Sequence, residues 1–238
     1  MEHEITGHSR KVYKLWKSQD ISPWKKVKEI GIEVLIIVFA VSFAAFLERQ
    51  REHSSEQKEV HAFLNGLKTD LTNDIREMES DKKSYIGAAK AFRYLTSLPP
   101  GQKLNPDSLR KHQGYILNTT GLVPNDGRYQ GFKSSGKLST IENEELQNTI
   151  LDLYQEDLPN LISSTNLYTK RKEVLFAYLF DTMKRNPDGS NNMPDLLITD
   201  KAYNISITLS FTQEVIDRYD SAISKSKKII TAIEREQQ

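Results

Sequence analysis

A long apolar run at residues 30–47 constrains this chain more than any other feature, and a single carboxylate, Glu33, interrupts it. Every other residue from Ile30 to Leu47 is apolar or small. At about 1.5 Å per residue the run makes roughly 27 Å of helix, close to the ~30 Å hydrocarbon core of a bilayer. The segment before it carries Arg10, Lys11, Lys14, Lys17, Lys25, Lys26 and Lys28 against Glu2, Glu4, Asp20 and Glu29. After it, residues 48–60 are slightly acidic. Basic residues favour the cytoplasmic side of a span, so the pattern predicts a cytoplasmic N-terminus and an external remainder. Trp16 and Trp24, with Lys25, Lys26 and Lys28, fit the interfacial belt on that flank. Ser22-Pro23 reads as a helix cap followed by proline at the first helical position.

Two other readings compete. Ser42-Phe43-Ala44 followed by Ala45 resembles a signal cleavage site, although the leader is unusually long and the run continues through Phe46 and Leu47. A buried helix of a soluble protein is the third. Glu33 sits about one turn inside the cytoplasmic boundary of a span, where a carboxylate can snorkel or pair with a basic residue such as Lys26. Helix association or proton carriage through Glu33 are the functional alternatives.

Composition excludes several classes. Charged residues make up 27% and the net charge is +1, so nothing concentrates the positive charge that phosphate binding needs, and nucleic acid is not expected. With no cysteine, the chain holds no disulfide, thiolate zinc site, iron–sulfur cluster or cysteine nucleophile.

Beyond the run, residues 48–59 are polar all round without proline or glycine, as in a helical stalk. Val60, Leu64, Leu67, Leu71, Ile75 and Met78 then recur at spacings of four and three, a packing stripe that Tyr85, Ala88, Phe92 and Leu95 extend to Pro99-Pro100. Asn105-Pro106 predicts a short helix to about Gln113, and Gly127 to Ser135 another, closed by Gly136. Leu146, Ile150, Leu153, Tyr154, Leu158, Leu161 and Ile162 predict a helix from about Asn143, kinked or divided at Pro159. Val174, Leu175, Tyr178, Leu179 and Met183 continue the period toward Asn186-Pro187-Asp188-Gly189. After Asp200, residues 203–211 alternate like a strand, but Ile205, Leu209, Thr212, Ile216, Tyr219, Ile223, Ser226, Ile230 and Ile233 trace a longer helical line, which favours helix. The expected fold is all-α: one N-terminal transmembrane helix continuing into an antiparallel bundle of about four long helices plus short ones. Its parts are a basic segment at 1–29, the span at 30–47, the stalk at 48–59 and the bundle at 60–238.

This order of parts resembles an uncharacterised family of single-span membrane proteins from Bacteroidota. The resemblance rests on Gly31, Glu33 and Val34 at the span, on Leu67-Lys68-Thr69-Asp70-Leu71 with Asp74-Ile75, and on YQGFKSSGKLSTIENEELQNTILDLY from Tyr129 to Tyr154. Just after the span the chain has Glu48-Arg49-Gln50-Arg51-Glu52 in place of the family's Asn-Trp-Asn-Glu. The resemblance implies a membrane-anchored helical domain and supplies no activity.

Catalytic patterns are weak. Among His3, His8, His53, His61 and His112, only His53 and His61 share a predicted helix, two turns apart and too far to chelate one metal together. No phosphate loop or nucleophile elbow is present. Adjacent carboxylates such as Glu144-Glu145 diverge around a helix axis. Lys225, Lys227 and Lys228 read as a solvated face or a docking patch, and the tyrosines read as core. No cofactor and no metal are expected. The leading expectation is a non-enzymatic inner-membrane protein with a periplasmic bundle, whose partners are the lipid bilayer and another protein or a second copy. The alternatives are a sensory or ligand-binding bundle signalling through a partner, and a proton-coupled subunit using Glu33.

Overall fold

The computed structural model describes residues 23–236. These residues are helical almost throughout, and their sole β feature is an isolated bridge between Arg185 and Asn191. The chain divides into two compact units, Met1–Glu59 and Val60–Gln238. Helix α1, Pro23–Ser97, runs through both. In the first unit the apolar window of α1 has none of its residues buried. Leu35 and Phe39 are 68% and 70% exposed, so this stretch is not a core helix of the fold.

The second unit is a helical bundle with one continuous core. Val60, Leu64, Leu67, Leu71, Ile75 and Met78 are all buried there, and Tyr85, Ala88, Phe92 and Leu95 carry the buried face onward. Helix α2, Pro106–Leu117, starts where the Asn105 side chain accepts hydrogen bonds from the Asp107 and Ser108 N–H groups, with Pro106 at the first helical position. Helix α3, Gly127–Ser134, ends before Gly136, whose φ of 74° suits a residue without a side chain. A 3-10 turn at Lys137–Thr140 follows.

Helix α4, Glu144–Asp152, is capped by the Asn143 side chain accepting from the Leu146 N–H. It passes through a π-helical turn, Leu153–Asp157, into α5, Leu158–Thr182. The sequence places a kink or division at Pro159, and the irregularity lies in the turn before it. Proline has no N–H and its ring crowds the carbonyl four residues back, and one wide turn accommodates both while the helix continues.

Two short helices follow: α6, Met193–Leu196, and α7, Asp200–Leu209. The cap of α7 is Thr199, one residue before the Asp200 expected from the sequence. A break at residues 210–212 separates α7 from α8, Gln213–Glu236, so the long helical line of the sequence is two helices.

Ion pairs fix the directions. Lys68 meets Glu234, Glu79 meets Lys227 and Lys82 meets Asp220, so α8 runs antiparallel to the second half of α1. Glu145 meets Lys228 and Asp157 meets Lys225, so α8 is also antiparallel to α4 and the π turn. Tyr178 pairs with Thr199, and Tyr168 donates to the Leu209 carbonyl, setting α7 antiparallel to α5.

Candidate functional site

On α1, Asp70, Asp74, Glu77 and Asp81 recur at spacings of four, three and four, which puts their carboxylates along one side of the helix. Each receives a donor from residues 120–128, which lie along that side in reverse order. Arg128 meets Asp70 at 3.0 Å. The Asn125 main chain and amide donate to Asp74 at 3.0 and 2.6 Å. The Val123 N–H donates to Glu77 at 3.1 Å, and the Thr120 hydroxyl donates to Asp81. The strap continues to α3, where Phe132 stacks on Phe63 with centroids 4.0 Å apart.

Burial sets the electrostatics of this line. Asp74 is 1% exposed, and loss of hydration raises its pKa despite the opposing hydrogen bonds from Asn125. Asp81 accepts a second hydrogen bond from the buried Tyr219 hydroxyl. Desolvation, with the neighbouring Asp81 charge, raises the pKa of that phenol and keeps it protonated as a donor.

At the upper end of the strap, α1, α2 and α5 enclose a cavity of about 370 Å³. Tyr85 and Ala88 come from α1, Lys111 and Tyr115 from α2, Thr119 and Thr120 from the strap's start, and Tyr168, Thr169 and Lys172 from α5. Gly87 lets the wall close, because a Cβ there would lie 2.3 Å from the Tyr115 ring. The Tyr85 hydroxyl donates to the Thr120 carbonyl, and its ring meets that of Tyr168 edge-on at 5.1 Å. Lys172 is 2% exposed, and its Nζ donates to the carbonyls of Tyr115, at 2.7 Å, and Asn118. Desolvation lowers its pKa to about 8. These carbonyls close the C-terminal end of α2, where a helix carries partial negative charge.

The residues singled out from the sequence fall elsewhere. Glu33 is half-buried on α1 within the apolar stretch. Trp24, 81% exposed, and exposed Lys28 flank that stretch. Trp16 and the side chains of Lys25 and Lys26 lie outside the described residues. In the basic cluster of α8, Lys225, Lys227 and Lys228 each pair with a carboxylate of α1, α4 or the π turn, and Lys227 and Lys228 stay more than half exposed. Among the described residues no group of histidines and carboxylates could hold a metal. His112 instead stacks on Tyr94, and burial lowers its pKa.

Sequence reasoning missed Lys172, Asp74 and Asp81 as buried polar groups. For the two aspartates one signal existed: their seven-residue spacing keeps both on the side of α1 that carries Leu71 and Met78. For Lys172 the same signal existed, since it falls on the line of Leu161, Thr165, Tyr168, Leu175 and Leu179 at spacings of four and three, but the carbonyls that receive its charge belong to α2 and are out of reach of a local pattern.

The chain belongs to DUF6090, a family of unknown function whose model matches residues 29–209. The match takes in the apolar stretch, the acidic line of α1, the strap and every wall of the cavity. No curated protein and no solved structure is significantly similar to the chain.

Proposed function

We propose that the chain is a non-enzymatic, single-span protein of the bacterial inner membrane, whose periplasmic bundle serves as a scaffold or interaction subunit for another envelope component. The observation that carries this reading is the uncovered apolar window of α1. An exposed helix of that length and composition is stable in hydrocarbon and costly in water. The lysine- and arginine-rich residues before it support a cytoplasmic N-terminus.

The test combines alkaline carbonate extraction with protease protection in spheroplasts, followed by affinity purification in mild detergent. The expected result is a carbonate-resistant protein whose bundle is cleaved from outside and which brings down one stoichiometric partner. A carbonate-soluble protein with residues 1–44 removed would overturn the anchor. A bundle cleaved only after the inner membrane is breached would overturn the orientation.

A further inference from the structure

Among the described residues Lys172 is the one lysine that is buried. The lysines of α8 each meet a carboxylate, but Lys172, far less exposed, meets two main-chain carbonyls and no carboxylate. The Phe92 ring, 5.8 Å from Nζ, adds a second weak partner. An ammonium has three N–H donors, so one remains after the two carbonyls. Burying a cation without an anion costs several kcal/mol, and a helix terminus returns only part of it.

The cavity beside this lysine has a consistent chemistry. No aspartate or glutamate lines it, and Lys111 adds an exposed positive charge at the rim. Thr119, Thr169 and Asn118 also line it, adding polar side chains to the wall. Tyr85 and Tyr168 direct their protons to carbonyls, which leaves their oxygens as acceptors and their rings as walls. The α2 carbonyls next to Nζ repel a doubly charged oxyanion more than a singly charged one. At the ~30 Å³ that a water occupies in the liquid, the volume admits about a dozen non-hydrogen atoms. We propose that the cavity between α1, α2 and α5 binds a small organic monocarboxylate, with Lys172 holding its carboxylate and Lys111 drawing it to the rim. The site goes beyond the scaffold reading and does not depend on it.

The experiment is calorimetric titration of the full chain in nanodiscs with 4-hydroxybenzoate and gluconate. The neutral analogue 4-hydroxybenzyl alcohol and inorganic phosphate serve as controls. Saturable binding of at least one carboxylate with a Kd of about 1 mM or tighter is expected, at least about tenfold tighter than the neutral analogue and phosphate. Lys172→Met should weaken it by about tenfold or more. Lys111→Glu, at an exposed position that does not threaten folding, should also weaken it by about tenfold. Saturation by neither carboxylate, equal binding of the neutral analogue, or an unchanged Kd in Lys111→Glu would each overturn the proposal, whether or not Lys172→Met folds. Phosphate binding as tightly as the carboxylates would overturn the ligand class.

Discussion

The Tyr219 hydroxyl donates a 3.0 Å hydrogen bond to the carboxylate of Asp81, joining α8 to α1 through residues 138 apart in sequence. Both residues are buried, and the other carboxylate oxygen is taken by Thr120. Tyr219→Phe keeps the ring and removes one donor from a buried carboxylate. A cost of about 1.5–3 kcal/mol follows, read from urea unfolding of the full chain. A change below about 0.5 kcal/mol would mean that Thr120 alone satisfies Asp81.

Lys172 gives the bundle a pH dependence of defined sign. Its folded-state pKa is lowered from 10.5 to about 8, so the folded protein releases this proton before the unfolded chain does. The buried charge opposes folding fully below pH 8, and the opposition fades as pH rises from 8 toward 10.5. The other titratable groups lining the cavity are Lys111, Tyr85, Tyr115 and Tyr168, and burial holds the phenols of Tyr85 and Tyr168 protonated through that window. The stability of wild type relative to Lys172→Met is therefore expected to rise with pH across that range, by at most about 3 kcal/mol. A flat difference would place the lysine in a wetter setting than its 2% exposure implies.

Two glycines should respond in opposite directions to alanine. Gly114, in α2, has nothing nearer than 3.9 Å to a new Cβ, so Gly114→Ala stabilises by about 0.5–1 kcal/mol through helix propensity. At Gly87 the Tyr115 ring lies 2.3 Å away, and Gly87→Ala loses about 1–2 kcal/mol on balance as the ring is forced out. Thermal unfolding of the pair decides it: a stabilised Gly87→Ala would refute the close approach, and a destabilised Gly114→Ala would refute the open site in α2.

The ion pairs of α8 divide by exposure. The Lys225 and Asp157 side chains are 26% and 17% exposed, and Lys225→Ala should cost about 1 kcal/mol. Lys228 and Glu145 are 61% and 79% exposed, and Lys228→Ala should leave the melting temperature unchanged in physiological salt.

Local signals in the sequence marked the element boundaries well. Asn105-Pro106, Asn143 and Gly136 act through their own side chains or backbone angles, and each sits at the helix end it implied. Apolar periodicity located the stripe from Val60 to Met78 for the same reason. It failed on α5, where Val174 was taken into the buried face and is 55% exposed, while Lys172 turns inward. Its position lies on the buried line of Tyr168, Leu175 and Leu179, but a lysine's charge argues for solvent, and the carbonyls that end α2 are what receive it. The acidic line was half legible: Asp70 and Asp74 stood in a recognisable motif, but their partners lie some 50 residues on, in a segment without periodicity. The cavity could not be seen at all, since three separate helices supply its walls.

The antiparallel pairing of α1 with α8 also orders events during biosynthesis. The stripe of Leu67, Leu71 and Met78 leaves the ribosome long before Gln213–Glu236 exists, and local contacts cannot cover it. The strap at residues 120–132 is the first segment able to shield this half of α1, with the acidic line as its rail. Closure then waits for the late helix, so folding is governed by contacts of high sequence separation and should be slow for a helical protein. Until that helix arrives the half-built bundle offers an uncovered apolar surface, the kind of species that aggregates most readily.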